Sequence, residues 1–171
     1  MTSSTIHLAA YGELGPALLD WDDFDGACAD GRIPIVDAVL VEAAEHTTRT
    51  LHRFSTRGCA RGAASVVVVG LLQPSSLVSG ALAGGIGERT IATLSAGLDR
   101  LAIKQLGETM DRGPFTIVLI SGASAVDELA AAVPSRNARR DWRRSIASTV
   151  VATDASTESI VEAVQFDDPL R

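Results

Sequence analysis

The chain has 171 residues, of which 46% are hydrophobic and 21% charged, so it can bury a core as a single α/β domain, and wholesale disorder is excluded. Its 15 basic and 21 acidic side chains give a formal net charge of −6, which argues against a general nucleic-acid binder. Two cysteines cannot form a disulfide-rich scaffold, and residues 1–15 lack the basic and apolar regions of a signal peptide. We therefore expect a protein of the bacterial cytoplasm or of the cytoplasmic face of a membrane.

The first part of the chain predicts the order β-α-β-β. Runs of β-branched and apolar residues indicate strands, and apolar residues at helical spacing indicate a helix. Pro16 suits the first turn of that helix because its missing N–H costs little there. The predicted elements are a strand over 6–11, a helix over 16–29, and strands over 33–44 and 50–56 joined by a hairpin loop.

The second part predicts a long amphipathic helix followed by β-α-β-α. Gly113 and Pro114 end the long helix, and Pro134 ends the next one. The predicted elements are a helix over 89–112, a strand over 115–120, a helix over 123–133, a strand over 149–153 and a helix over 156–165. The sequence thus predicts an α+β fold: a ferredoxin-like βαββαβ-type sheet with an inserted Gly/Ala-rich helical hairpin and a C-terminal helix.

The insert, residues 62–87, contains no charged side chain. Gln73 and Pro74 divide it into a first arm (residues 62–72) and a second arm (residues 75–87), each shorter than the roughly 20 residues that cross a bilayer as a helix. The second arm carries two stripes of small residues at helical spacing, which allow helix backbones to approach closely. These predicted self-association positions are Ser76, Gly80 and Gly84, with Ser79, Ala83 and Gly87 beside them.

Several segments together resemble a known group of proteins. They are Gly31–Val41 (GRIPIVDAVLV), the apolar insert, Leu98–Gly113 (LDRLAIKQLGETMDRG) and the strand FTIVLI. The chain resembles, over most of its length, uncharacterised actinobacterial-type families of small α/β proteins with a glycine-zipper-like insert. These families are often labelled membrane proteins or stress-associated. The resemblance implies no activity, so no catalytic residue carries over.

A cluster of arginines is the candidate contact for an anionic partner. It surrounds Trp142, and arginines interleaved with an aromatic side chain can bind phosphates or stack on bases. The net charge of −6 counts against both nucleic acid and anionic lipid as that partner, and the alternative is an exposed loop or helix end. The cluster consists of Arg136, Arg139, Arg140, Arg143 and Arg144.

Other polar residues do not assemble into a recognisable site. His46 and His52 flank the hairpin loop, but their spacing matches no standard metal motif. The acids at 20, 22, 23 and 25 lie close together on a predicted helix and point in different directions, so we expect a solvated face. Docking onto arginines of another subunit is the alternative. The glycines at 84–87 lack the lysine of a phosphate-binding loop. We assign no catalytic, cofactor-binding or metal-binding residue.

Three functions stay open at this point. The first is a non-enzymatic protein that forms homo-oligomers through the apolar hairpin. The second is a peripheral membrane protein whose hairpin inserts shallowly while arginines meet anionic headgroups. The third is a small ligand-binding domain or enzyme with a cleft near the hairpin histidines and the acidic first helix. The sequence also leaves open whether the hairpin is buried within one copy, between copies or in lipid.

Overall fold

A computed structural model describes residues 3–29, 35–44, 47–55, 63–72, 88–122 and 144–167. Within them the fold is α+β, with a five-stranded antiparallel sheet and five helices. The strands are β1 (Ser3–Tyr11), β2 (Ile35–Ala44), β3 (Thr47–Ser55), β4 (Phe115–Gly122) and β5 (Ala147–Ser156). The helices are α1 (Leu14–Ala29), α2 (Ala63–Leu72), α3 (Glu88–Gly97), α4 (Arg100–Met110) and α5 (Thr157–Asp167).

The order of strands in the sheet is β3-β2-β4-β1-β5, and every neighbouring pair is antiparallel. The two central strands, β4 and β1, come from distant parts of the chain, and Ile6 pairs with Ile120. Both strands are buried along almost their whole length. A strand that is covered on both faces reads as a continuous apolar run, and FTIVLI in β4 has that character.

Helices cover both faces of the sheet. On one face α1 packs Ala17, Trp21 and Phe24 against alternate residues of β1, β2 and β4. On the opposite face α2, α3, α4 and α5 enclose the larger core cluster around Ile6, Leu8 and the neighbouring strands. Successive side chains of a strand point to opposite faces, so the same three strands supply both cores.

The predicted helix over 89–112 is wrong in one respect, because the structure divides it into α3 and α4. The break lies at Asp99. Its backbone is extended, and its side chain accepts a hydrogen bond from the Ala102 N–H at 2.6 Å. This is an N-cap, which supplies a partner for a backbone donor that the first turn of a helix leaves free. Apolar spacing concealed the break because Leu94, Leu98 and Leu106 all enter the same core.

The other predicted elements that fall on described residues are confirmed with shifted ends, most of all β5, which is longer than predicted. The predicted helix over 123–133 and the second arm lie outside the described residues.

Candidate functional site

The first arm of the uncharged insert forms α2, and α2 is built into the core of its own chain. Ala64, Val67, Val68 and Val69 are buried against β2 and β4, and α3 and α4 flank the helix. A helix that is apolar on every side requires burial all round. The first arm is therefore buried within one copy of the chain. For this half of the insert, that decides between burial within one copy, between copies and in lipid.

The six small residues predicted for self-association all belong to the second arm and lie outside the described residues: Ser76, Ser79, Gly80, Ala83, Gly84 and Gly87. The helices on either side of that arm are described. α2 ends at Leu72 and α3 begins at Glu88, and both pack on the same face of the sheet. In the chain, the second arm therefore connects two helices of one layer.

A buried carboxyl group marks the start of α2. Asp37, in β2, is 2% exposed, and its Oδ1 accepts a hydrogen bond from the Ser65 N–H at 3.2 Å. Burial raises the pKa of Asp37 to about 7, although the Ser65 side chain, the N–H groups of Ser65 and Ala64, and Arg53 act in the opposite direction. The Ser65 Oγ is itself buried and forms no hydrogen bond of normal geometry with the described residues. The sequence signal is an acid within the apolar run Ile35–Val41.

The acidic first helix is only partly the solvated face that the sequence predicts. Asp20 is 1% exposed, which makes the expectation wrong at that position, whereas Asp22 and Asp25 are exposed. Asp20 accepts a hydrogen bond from the Tyr11 hydroxyl at 2.8 Å and from Arg144 at 2.6 Å. Burial and the Asp20 carboxylate raise the pKa of Tyr11, so its phenol stays protonated and donates.

Arg144 forms the charged part of this network. Its guanidinium also reaches Asp23 at 3.1 Å, and hydrogen bonding to Asp20 raises its pKa further. Of the five arginines predicted to meet an anionic partner, Arg144 is therefore engaged with carboxylates of its own chain. Arg136, Arg139, Arg140 and Arg143 lie outside the described residues, and for them the prediction stands as it was.

The hairpin histidine His52 lies beside the first helix, as the third hypothesis requires, but it stacks on Trp21 with ring centroids 5.8 Å apart. No group of three metal-binding side chains occurs among the described residues, and His46 lies outside them. The neighbouring pair Arg49 and Glu42 forms an ion pair at 2.5 Å across the β2–β3 hairpin. The described part of the hairpin therefore supplies an aromatic contact and an ion pair rather than a metal centre.

Sequence reasoning missed a histidine–serine contact inside the sheet. His7 Nε2 lies 3.2 Å from Ser121 Oγ, on the face that α1 covers. A serine beside a histidine can act as a nucleophile when substrate reaches it. Here Ser121 is 0% and His7 3% exposed, so the contact as it stands satisfies two buried polar groups. No spacing rule connects residues 7 and 121, because only the β1–β4 pairing brings them together.

Among the described residues, none of the helices has the length and apolar character that a membrane crossing needs. Comparison with known proteins adds no family: no family model, curated protein or solved structure matches the chain. The function therefore rests on the geometry and on the sequence pattern.

Proposed function

We propose that this protein is non-enzymatic and works by self-assembly, with the second arm as its contact between copies. The observation that carries the proposal is that this arm connects α2 to α3 in the chain, and that these two helices pack on one face of the sheet. α2 fills its place in the core of the protomer, and the second arm continues from it without a charged residue. An uncharged segment of this composition invites association when it is exposed.

The small-residue stripes indicate how copies would meet. Ser76, Gly80 and Gly84 recur every four residues, so in a helix they form one face without large side chains. Two such faces can approach until their backbones touch, as small-xxx-small helix pairs do. Large side chains at the same positions would hold the helices apart.

The double variant Gly80→Leu/Gly84→Leu tests this proposal. We expect the mass measured by light scattering to fall from that of an oligomer towards that of one chain. Gly26→Leu/Gly107→Leu is the matched control: both glycines lie in helices, and a Cβ at either would meet nothing within 4 Å. An oligomer of unchanged mass in the Gly80/Gly84 variant would overturn the proposal.

We place the assembled protein in the cytoplasm and keep association with an anionic membrane surface as the alternative use of the same arm. β3 and β4, which flank the insert in the chain, belong to one sheet, so a single crossing would separate strands that are hydrogen-bonded through β2. Only a shallow, returning insertion suits this arrangement. Flotation of the protein with anionic vesicles would favour this alternative, and failure to float would remove it.

We further infer that the sheet is an enlarged ferredoxin-like plan. Two features support this inference: the order β2-β4-β1-β5, and the β1-α1-β2 unit whose strands are separated by the antiparallel β4. The edge strand β3 and the four helices on the face opposite α1 would be additions. The resemblance to the glycine-zipper families belongs to the same proposal and rests on the motifs quoted above.

A further inference from the structure

We propose that β5 is a second assembly surface, at which another copy of this chain adds its own β5 in antiparallel orientation. The proposal extends the proposed function to a separate part of the protomer and does not depend on the second arm. β5 ends the sheet: among the described strands it pairs with β1 alone. Its outer side therefore presents backbone N–H and C=O groups that a further strand can pair with.

The two edges of the sheet differ in their protection. β3, at the opposite edge, carries Arg49, His52 and Arg53, and all three are exposed. Charged side chains on an edge strand discourage pairing with other chains. β5 has the sequence ASTVVATDAS, with no lysine, arginine or proline and Asp154 as its only charged residue. Among the described residues, charged side chains thus protect the β3 edge and leave the β5 edge available.

β5 is also firmly held, so it can serve as a template. Val151 and Ala155 are buried in the larger core, and the hydroxyl groups of Thr149 and Thr109 are hydrogen-bonded, which ties β5 to α4. Seven consecutive residues of β5, from Ala147 to Thr153, pair with β1 in one register, and Ser156 pairs with it beyond a bulge. Because β5 is already ordered, it loses little conformational entropy when another strand pairs with it.

The exposed side chains of β5 fit a second copy. Val150 is 42% exposed, and Ile146, directly before β5, is 59% exposed. Both share a face of the sheet with Ser148 and Ala152, which are also exposed. This is the face that α1 covers over β1, β2 and β4. Joining two β5 strands would place apolar side chains of one copy beside those of the other and remove them from water.

Twofold symmetry makes the pairing self-complementary. An antiparallel pair centred on Val150 sets the two Val150 side chains together and places each Asp154 opposite Ile146 of the other copy. The two carboxylates then lie at opposite ends, so no like charges face each other. The contact uses the same surface on both copies and therefore forms a closed dimer. The two β3 strands, with their arginines, are then the outer edges of the joined sheet.

The test is the mass of Val150→Lys and of Ala152→Lys by light scattering, with circular dichroism to check that both variants fold. Either lysine adds a charge to the exposed row of the edge, and we expect a twofold fall in the number of copies per particle. Leu101→Lys is the matched control, since Leu101 is 62% exposed on α4, which packs on the face of the sheet opposite to the Val150 side chain. An oligomer whose mass is the same in all three variants would overturn the proposal.

The proposals for the two assembly surfaces can be contradicted independently of each other. If the lysine variants halve the mass and Gly80→Leu/Gly84→Leu does not change it, β5 is the contact and the second arm is not. If only the glycine variant dissociates, the β5 proposal is overturned and the proposed function stands. A wild-type protein that is a single chain at all concentrations overturns both.

Discussion

Asp37 places an ionisable group where the fold prefers a neutral one. Its pKa is raised from 3.8 to about 7, so folding favours the protonated form. The protonated carboxyl therefore stabilises the folded state fully at a pH below the pKa that Asp37 has in the unfolded chain. This stabilisation is lost as the pH rises towards 7. The neutral amide of Asp37→Asn keeps an oxygen that can accept from Ser65 N–H. We expect the variant to be more stable than the wild type at pH 8, by up to about 4 kcal/mol, and nearly equal at pH 4.

Urea unfolding of both proteins across this pH range measures the difference directly. Asp22→Asn is the control, because it removes the same charge from an exposed position of α1, where we expect surface-sized effects only. Parallel stability curves for the wild type and Asp37→Asn would mean that the carboxyl group is charged in the folded state, contrary to the burial argument.

Single residues show which parts of the candidate site the sequence can predict. The density of acids in α1 and the cluster of arginines are both visible in the sequence. The bonds to Asp20 are not, because Tyr11 reaches it only when α1 packs on β1, and Arg144 only when β5 pairs with β1. Carboxylates stay in water by default, and Asp20 departs from that default because a remote cation and a phenol satisfy it.

The contact between α3 and β5 depends on the absence of one side chain. A Cβ on Gly97, the last residue of α3, would lie 2.8 Å from the Ala155 backbone nitrogen and closer still to the Thr153 side chain. Relief of this clash requires the backbone at Ala155 to move, which is energetically costly. We therefore expect Gly97→Ala to lower the free energy of unfolding by about 1–3 kcal/mol. Gly107→Ala, in the middle of α4 with open space around it, should raise that free energy by up to about 1 kcal/mol. Thermal or urea unfolding of the two variants distinguishes a tight contact from a general preference for alanine in helices, which would stabilise both.

Elements were more predictable than their junctions. The β-branched run of β4 and the apolar spacing of α1 depend on local pattern, and both elements form where that pattern predicts them. The break at Asp99 was missed although an N-cap residue is visible there, since apolar spacing alone does not distinguish one helix from two that share a core. The order β3-β2-β4-β1-β5 depends on contacts between distant strands, for which no local signal exists.

At the scale of the whole molecule, the effect of salt on the oligomer distinguishes assembly through apolar surfaces from assembly through charged side chains. Each copy carries a net charge of −6, the second arm has no charged residue, and β5 has only Asp154. Copies therefore repel each other at low ionic strength, and salt screens that repulsion over a distance that shortens to about 10 Å at 0.1 M. We expect the oligomer, followed by light scattering from about 0.02 to 0.5 M NaCl, to persist or grow. A contact between the arginine cluster and the acids of another copy would instead weaken as salt rises. Dissociation at high salt would thus assign assembly to charged side chains, and would count against both apolar surfaces at once.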